Sequence, residues 1–340
     1  MNTPHPSLGH RLRQRGAALL AAMLTVTLVA TFASAAMWQQ WRAIEIETAE
    51  RARVQSAWIL IGALDWSRLI LYEDLRSGSN SYLDSNDHLA EPWAVPLEEA
   101  RLSSFLAADR GVTQQEDAST DTTDAFLSGQ ILDLQARLNL ANLVDKATVN
   151  AEAKAQFARL FARLGLAPGE LDTLTEALRQ AQDSDNPNAP LAPPTLAQLT
   201  WLGVAPATVA ALAPHVVVLP QRSTLNLNTA DAEALMASIE GLDAAGANKL
   251  QAVRQMQHFR SLDDVRALLG QNVQLNPNWH DVKSNYFEVR GRLRLGDTTV
   301  QERSWVRRQN QTVTTFWRER GASAQADGLP RQSPDGASAP

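Results

Sequence analysis

The stretch from Ala17 to Met37 constrains this chain more than any other part of it, because it holds 21 residues without a charge or a proline. As a helix rising ~1.5 Å per residue it would be about 31 Å long, enough to cross a bilayer's ~30 Å hydrocarbon core. Arg11, Arg13 and Arg15 precede it, and acidic residues after it begin at Glu45. Basic flanks stay on the cytoplasmic side, so the expected topology leaves the segment up to Gly16 inside and everything after about Trp41 outside.

Taken alone, the first residues are compatible with three fates. Ala33-Ser34-Ala35 supplies the A-x-A site of an ordinary signal peptide. An uncut stretch would be a plain signal anchor. A cut between Gly16 and Ala17, on the cytoplasmic side, would mark a type IV prepilin-type leader and would leave the apolar helix in the mature chain. The residues beyond the apolar run bear on the choice. From Ala17 to Ile61 there is no glycine or proline, and Val54, Ala57, Trp58, Ile61 and Leu64 keep the spacing of one apolar helix face. The reading is one helix of roughly 60 residues, greasy in its first half and amphipathic in its second.

The 340 residues allow about two domains, and 44% apolar residues are enough for a packed core. A formal charge of −6 argues against a general nucleic-acid binder. With no cysteine, disulfides, thiolate metal sites and a Cys nucleophile are excluded. Residues 77–96 and 109–124 read as polar loops. The run Ile131-Leu132-Asp133-Leu134-Gln135-Ala136-Arg137-Leu138-Asn139-Leu140 alternates in part, as a strand entering a turn does. From Ala151 to Gly270 helical periodicity dominates. Leu164-Gly165-Leu166-Ala167-Pro168 is echoed by Leu202-Gly203-Val204-Ala205-Pro206, each a glycine-containing turn before a short helix. Leu225-Asn226-Leu227-Asn228-Thr229-Ala230 is expected to open another helix, with Asn228 or Thr229 as its cap. After residue 283 the period becomes two: Phe287, Val289, Gly291, Leu293 and Leu295 alternate with Glu288, Arg290, Arg292 and Arg294. Further strands are expected near Val300–Arg308 and Thr312–Arg318. The arginine row reads as the solvated side of this sheet.

No spacing of a serine-hydrolase elbow, a zinc-protease helix or a phosphate loop occurs. His215, His258 and His280 read as structural, and the chain as not an enzyme. Residues 225–270 also suggest a helix-hairpin-helix module, which raises the alternative of a membrane-anchored DNA-binding protein of a DNA-uptake system. Such hairpins offer backbone N–H groups to phosphate. Here Gly241-Leu242-Asp243 places a carboxylate where phosphate would come, and acidic residues balance Lys249, Arg254 and Arg260. A structural or protein-contact hairpin is the better reading.

This layout resembles the minor pseudopilin K family of type II secretion systems, also called general secretion pathway protein K. The likeness rests on Arg15-Gly16-Ala17-Ala18-Leu19-Leu20-Ala21, on the Ile131–Leu140 run, and on Leu219-Pro220 followed by Leu225–Ala230. It implies an α+β fold: a pilin-like long N-terminal helix packed on a small antiparallel sheet, with a large α-helical insertion of helix-hairpin-helix or SAM-like type. The implied divisions are a cytoplasmic prepilin leader (1–16), the transmembrane part of the helix (17–41), and the periplasmic helix with the first part of the pilin-like domain (42–144). They continue with the inserted α-helical domain (145–282), the C-terminal strands (283–320) and a disordered tail (321–340). Prepilin peptidase would cut between Gly16 and Ala17, leaving a methylated start in the inner membrane and a periplasmic head. Partners would be inner-membrane lipid, minor pseudopilins I and J, and other pseudopilins, with no nucleic acid expected, at a pseudopilus tip that supports export of folded proteins.

Two departures matter. The fifth residue after the cut is Ala21, where pilins and most pseudopilins carry a Glu that pairs with a neighbouring subunit's terminal amine. A residue that cannot make this pair suits a first or tip position, which has no neighbour above it. The family's acidic, calcium-associated loop corresponds here to Gln182–Pro190, whose metal candidates are Asp183 and Asp185. Two carboxylates and two Asn carbonyls fall short of the six to eight oxygens calcium takes.

Overall fold

The computed structural model describes residues 9–79, 86–104, 125–183, 187–270, 273–296 and 298–322, with side chains inside the first helix described from Ala17 to Arg76. It divides into two compact units, one ending at Ile59 and one starting at Leu60.

Helix α1 runs from Gly9 to Ser79. In the first unit every residue from Ala17 to Glu50 is exposed. Hydroxyls in the apolar run bond back to their own helix, as Thr27 Oγ1 does to Met23 O at 3.0 Å and Ser34 Oγ to Ala30 O at 2.9 Å. That removes the penalty a bare hydroxyl would carry in hydrocarbon. Trp38 and Trp41 follow the run with ring centroids 5.5 Å apart, where an interfacial aromatic belt is expected.

In the second unit the end of α1 buries Leu60, Leu64 and Leu71. Of the face read from the sequence, Leu64 lies in this stripe and Ile61 is half-buried, and Leu60, not read on that face, is buried as well. Each such leucine contributes about 1.5–3 kcal/mol of burial.

The chain then forms β1 (Leu97–Arg101) and β2 (Ala125–Asp133). Strand β1, Leu-Glu-Glu-Ala-Arg, has almost no apolar alternation and is an edge, so periodicity could not reveal it. Two short strands, β3 (Leu138–Asn139) and β4 (Val144–Asp145), precede β5 (Thr148–Val149). Helices α2 (Ala151–Arg163), α3 (Pro168–Ala181) and α4 (Pro206–Leu212) follow, the last after a 3₁₀ turn at Leu196–Leu202. The sequence echo is structural: Gly165 and Gly203 both take left-handed φ, 67° and 84°, before a helix that begins with proline.

Strand β6 (Val216–Val217) pairs in parallel with β3. Leu225-Asn226 forms a strand, β7, and does not open a helix. Helix α5 (Ala232–Ser238) starts later, and its cap is Asp231, whose carboxylate accepts the Ala234 N–H at 2.7 Å. The expected caps are used elsewhere, since Asn228 brackets the Phe259 backbone at 2.9 Å on both sides. Helices α6 (Ala244–Met256) and α7 (Leu262–Leu269) complete the insertion, and β8 (His280–Asp281) pairs in parallel with β7. Two cores fill it, one around Phe157, Phe161 and Leu174, the other around Leu227, Leu235 and Leu250.

The chain returns with β9 (Tyr286–Leu295), β10 (Thr298–Gln309) and β11 (Thr312–Ala322), which runs past the Arg318 expected as its end. The five-stranded sheet has the order β1-β2-β9-β10-β11, with every neighbouring pair antiparallel. Early and late strands share it, so the helical segment is an insertion between sheet neighbours β2 and β9. One face carries Ile131, Phe287, Val289 and Val306 against Leu64, Leu71 and Trp93. Gly129 and Gly291 sit opposite one another in the β2–β9 register. A Cβ at Gly291 would lie 3.2 Å from Leu60 Cδ2, so this bare patch is where α1 comes close to the sheet.

Candidate functional site

The most heavily bonded interior site is a polar joint where the end of α1, the sheet and the insertion meet. Asp133, at the end of β2, is its hub. Its Oδ2 accepts from Thr229 Oγ1 at 2.6 Å, Ser284 Oγ at 2.6 Å and Asn226 Nδ2 at 2.9 Å, and its Oδ1 accepts the Gln135 N–H at 2.7 Å. Burial pushes this carboxyl up, opposed by those four donors. Arg308, on β10, is the joint's cation. It donates to Asp74 Oδ2 of α1 at 2.5 Å, to Asp87, and to the Ser284 carbonyl at 2.9 Å, and it lies over the Phe287 ring. Asp87 in turn accepts the Ser284 N–H at 2.7 Å.

The two sequence runs that carried the family likeness come together here. From the first, Gln135 Nε2 donates to the Thr224 carbonyl at 3.0 Å and Asn139 Nδ2 to the Gln221 carbonyl at 2.7 Å. Just beyond it, Asn142 Nδ2 donates to the Ser223 carbonyl at 2.9 Å. From the second, Asn226 and Thr229 donate to Asp133. These side chains meet the backbone donors and acceptors of an irregular buried connection, which would otherwise stay unpaired. Sequence reading singled out the runs without assigning them this work.

Among the described residues, Asp74, Asp87 and Glu91 are the one group of carboxylates close enough to share a cation. Each already has a donor: Arg308 bonds to the first two, and Glu91 Oε2 accepts from Trp93 Nε1 at 2.6 Å and the His88 N–H at 2.9 Å. This is not the open shell of six to eight oxygens calcium takes. Burial pushes Asp87 up to about 7, against the pull of the Arg308 guanidinium, and pushes Glu91 up to about 8, helped by the nearby Asp74 and Asp87 carboxylates. Of the metal candidates, Asp183 follows the end of α3 and Asp185 lies outside the described residues, so the calcium set has no geometry to be judged on.

The other sequence candidates fall in the first helix. Gly16 and Ala17 are within α1, and Ala21 is exposed on it. The histidines make internal contacts: His215 Nδ1 meets Asp231 at 2.8 Å, His258 stacks on His88 at 3.7 Å, and His280 Nε2 meets Ser238 Oγ at 2.9 Å. The arginine row is more engaged than a solvated face would be. Glu288 is fully buried between Arg290 at 3.0 Å and Arg303 at 2.6 Å. Burial works to raise its carboxyl, and these guanidiniums override that and hold it below the usual range. Alternation placed Glu288 on the outer side and missed both strand-neighbour effects.

The hairpin spends several of its polar groups within the fold. After Gly241, with φ 78°, Asp243 caps α6 by accepting the Gly246 N–H at 2.7 Å. Lys249 donates to the Leu268 carbonyl at 2.9 Å and Arg254 to the Leu227 carbonyl at 2.8 Å. Lys249 and Arg254 are thus used internally.

Two family models, both described as type II secretion system (T2SS), protein K, match the chain, over residues 136–221 and 225–283. They take in the end of the first run, from Ala136, and the whole of the second, while Asp133 and Gln135 lie just before the first match. These matches and the relatives that follow support the type II secretion system protein K family. Type II secretion system protein K of Pseudomonas aeruginosa is 29% identical over 309 residues, spanning 84% of this chain and 86% of that one. The protein K of Pectobacterium carotovorum subsp. carotovorum is 25% identical over 350 residues, spanning 92% and 98%. A crystal structure of the GspK-GspI-GspJ complex from the enterotoxigenic Escherichia coli type 2 secretion system contains a chain of the same fold, with a TM-score of 0.59 at 19% identity. It covers 81% of this chain and 99% of that one. These findings support a minor pseudopilin, a structural part of a secretion apparatus, and the long apolar helix fits a membrane anchor.

Proposed function

We propose that the chain is cut between Gly16 and Ala17, is held in the inner membrane by α1 with its head in the periplasm, and joins minor pseudopilins I and J at the pseudopilus tip. The observation that carries the reading is the unbroken, exposed apolar course of α1, which runs on to an amphipathic end packed on the sheet. Lipid covers such a helix before assembly, and the helices of other subunits cover it afterwards. Ala21 supports the tip position, because a buried ion pair is favourable only with both partners present and alanine supplies neither charge. The solved GspK-GspI-GspJ complex, whose chain of like fold sits with I and J, supports these two as partners. The part played is assembly and not catalysis, with residues 145–282 as the inserted domain. N-terminal sequencing of the mature protein tests the cut: the first residue is expected to be Ala17, methylated, and a start near Ala36 would sink the reading.

A further inference from the structure

We propose that the outer face of strands β9 and β10 is a docking surface for an extended acidic segment of a partner polypeptide, whose carboxylates meet the row Arg290, Arg292 and Arg294. This is the side of the sheet turned away from Leu64 and Leu71 of α1, which pack on Phe287, Val289 and Val306.

Three features set the chemistry of the occupant. The first is an excess of one sign. The outer positions of β9 and β10 hold Arg290, Arg292, Arg294, Arg303 and Arg307, no lysine, and one carboxylate, Glu288. Glu288 is buried and already shared by Arg290 and Arg303, while Glu99 of β1 answers Arg294 at 2.5 Å. Arg303 stands directly across the ladder from Arg290, a like-charge placement that one shared carboxylate offsets only in part. Arg292 is exposed, has Ser128 and Gln301 as its ladder neighbours, and makes no hydrogen bond or ion pair within the described residues. In a chain of formal charge −6 this is a local positive field, of the kind that steers an acidic partner.

The second is order. The Arg294 guanidinium lies 4.0 Å over the Phe126 ring centroid, that of Arg303 5.8 Å over Trp317, and that of Arg307 5.6 Å over Tyr286. Rings and Glu288 hold these long side chains in place, so little conformational entropy is left to lose when an anion binds. They stay within reach of solvent: Arg290, Arg303 and Arg294 keep 27%, 38% and 40% of their side-chain surface.

The third is spacing. Alternate residues of a strand lie about 7 Å apart on one face, so Arg290, Arg292 and Arg294 match the side chains at alternate positions of an extended polypeptide. A guanidinium takes a carboxylate through two parallel N–H bonds. Glu288 and Glu99 sit among the arginines and repel a ligand charged at every step, such as a nucleic-acid backbone. Carboxylates separated by neutral residues fit this face better.

The test uses the full chain in non-ionic detergent, titrated calorimetrically with a synthetic peptide of four Asp-Thr repeats and with a control of four Asn-Thr repeats. Saturable binding of the acidic peptide alone is expected, weakening several-fold as salt rises to about 0.5 M. Arg292→Gln, at an exposed position with no partner to strand, should weaken it about threefold, and Arg292→Glu, which turns attraction into repulsion, about tenfold. Arg179→Gln, in α3, should leave it unchanged. Equal binding of both peptides, binding of neither, or unchanged affinity in Arg292→Glu would overturn the proposal. So would duplex DNA bound as tightly and lost in the same variant, since the face would then read phosphate. A dimer by sedimentation that Arg292→Glu disperses would also overturn it, the occupant then being a second copy. The same holds for peptide binding that appears only with Glu116→Gln, Asp117→Asn, Asp121→Asn and Asp124→Asn together, which would make the occupant this chain's own acidic segment. None of these outcomes depends on where the leader is cut.

Discussion

At the residue scale the joint makes the sharpest demands. Arg308 is 5% exposed and holds Asp74 and Asp87 together. Replacing it by methionine keeps much of its volume and strands two carboxylates, so a loss of about 3–5 kcal/mol is expected in urea unfolding. A loss below about 1 kcal/mol would show the pair to be dispensable. The same cluster sets a pH dependence. Asp87 and Glu91 have folded-state values raised to about 7 and about 8, so their protons favour the folded state. Their contribution is fully present below about pH 4 and is lost as pH rises through 7 to 8. His280 has the opposite sense. Burial lowers it to about 4, so its contribution is present above about pH 6.5 and is lost as pH falls. Between about pH 6.5 and 8 the carboxyls act alone, and thermal midpoints should fall across that window. Glu91→Gln should flatten the fall, and an unchanged slope would remove Glu91 from the account.

At the element scale, two facing glycines in β2 and β9 carry different constraints, and Gly291 is the one that faces α1. They can be ranked. A Cβ at Gly129 would meet the Arg290 carbonyl oxygen at 2.9 Å, which is backbone held in the sheet ladder. A Cβ at Gly291 would meet a leucine methyl at 3.2 Å, which can turn aside. Gly129→Ala should therefore cost about 1–3 kcal/mol and Gly291→Ala less, measured as urea midpoints. The reverse order would mean that helix packing, and not the sheet backbone, is the tighter constraint. Elements with one periodic face were legible in sequence. Strand β9 was recognisable from Phe287, Val289 and Leu293, and α2 to α4 from spacing and from Gly165, Gly203 and the prolines after them. Strand β7 was not, because two residues have no period. Leu225-Asn226 is a strand because β8, more than 50 residues later, lies beside it.

At the scale of the whole molecule, the anchor and the head should be separable in behaviour. The full chain should need detergent for extraction, and a form lacking residues 1–41 should stay in the aqueous phase of a detergent partition. Retention of that form with membranes would show that the head binds lipid itself. Low-salt titration with duplex DNA should show no binding, since Asp243, Lys249 and Arg254 are used within the hairpin. Affinity that falls steeply with salt would revive the uptake alternative.

Sequence by itself determined the long helix, its apolar length and the basic residues before it, the sheet's later strands, and the order of helices between them. These are local properties: hydropathy, periodicity and turn chemistry act over a few residues and survive without the fold. Tertiary structure decided which face of α1 is buried, that Glu288 lies inside, that Asp231 and not Asn228 or Thr229 caps α5, and what the Asp133 and Asn226 runs are for. Each of these depends on partners far along the chain, the cap because Phe259 and Asp133 take up Asn228 and Thr229. A buried carboxylate or amide takes its role from the donors packed around it, and those are set by the way the early and late strands close into one sheet.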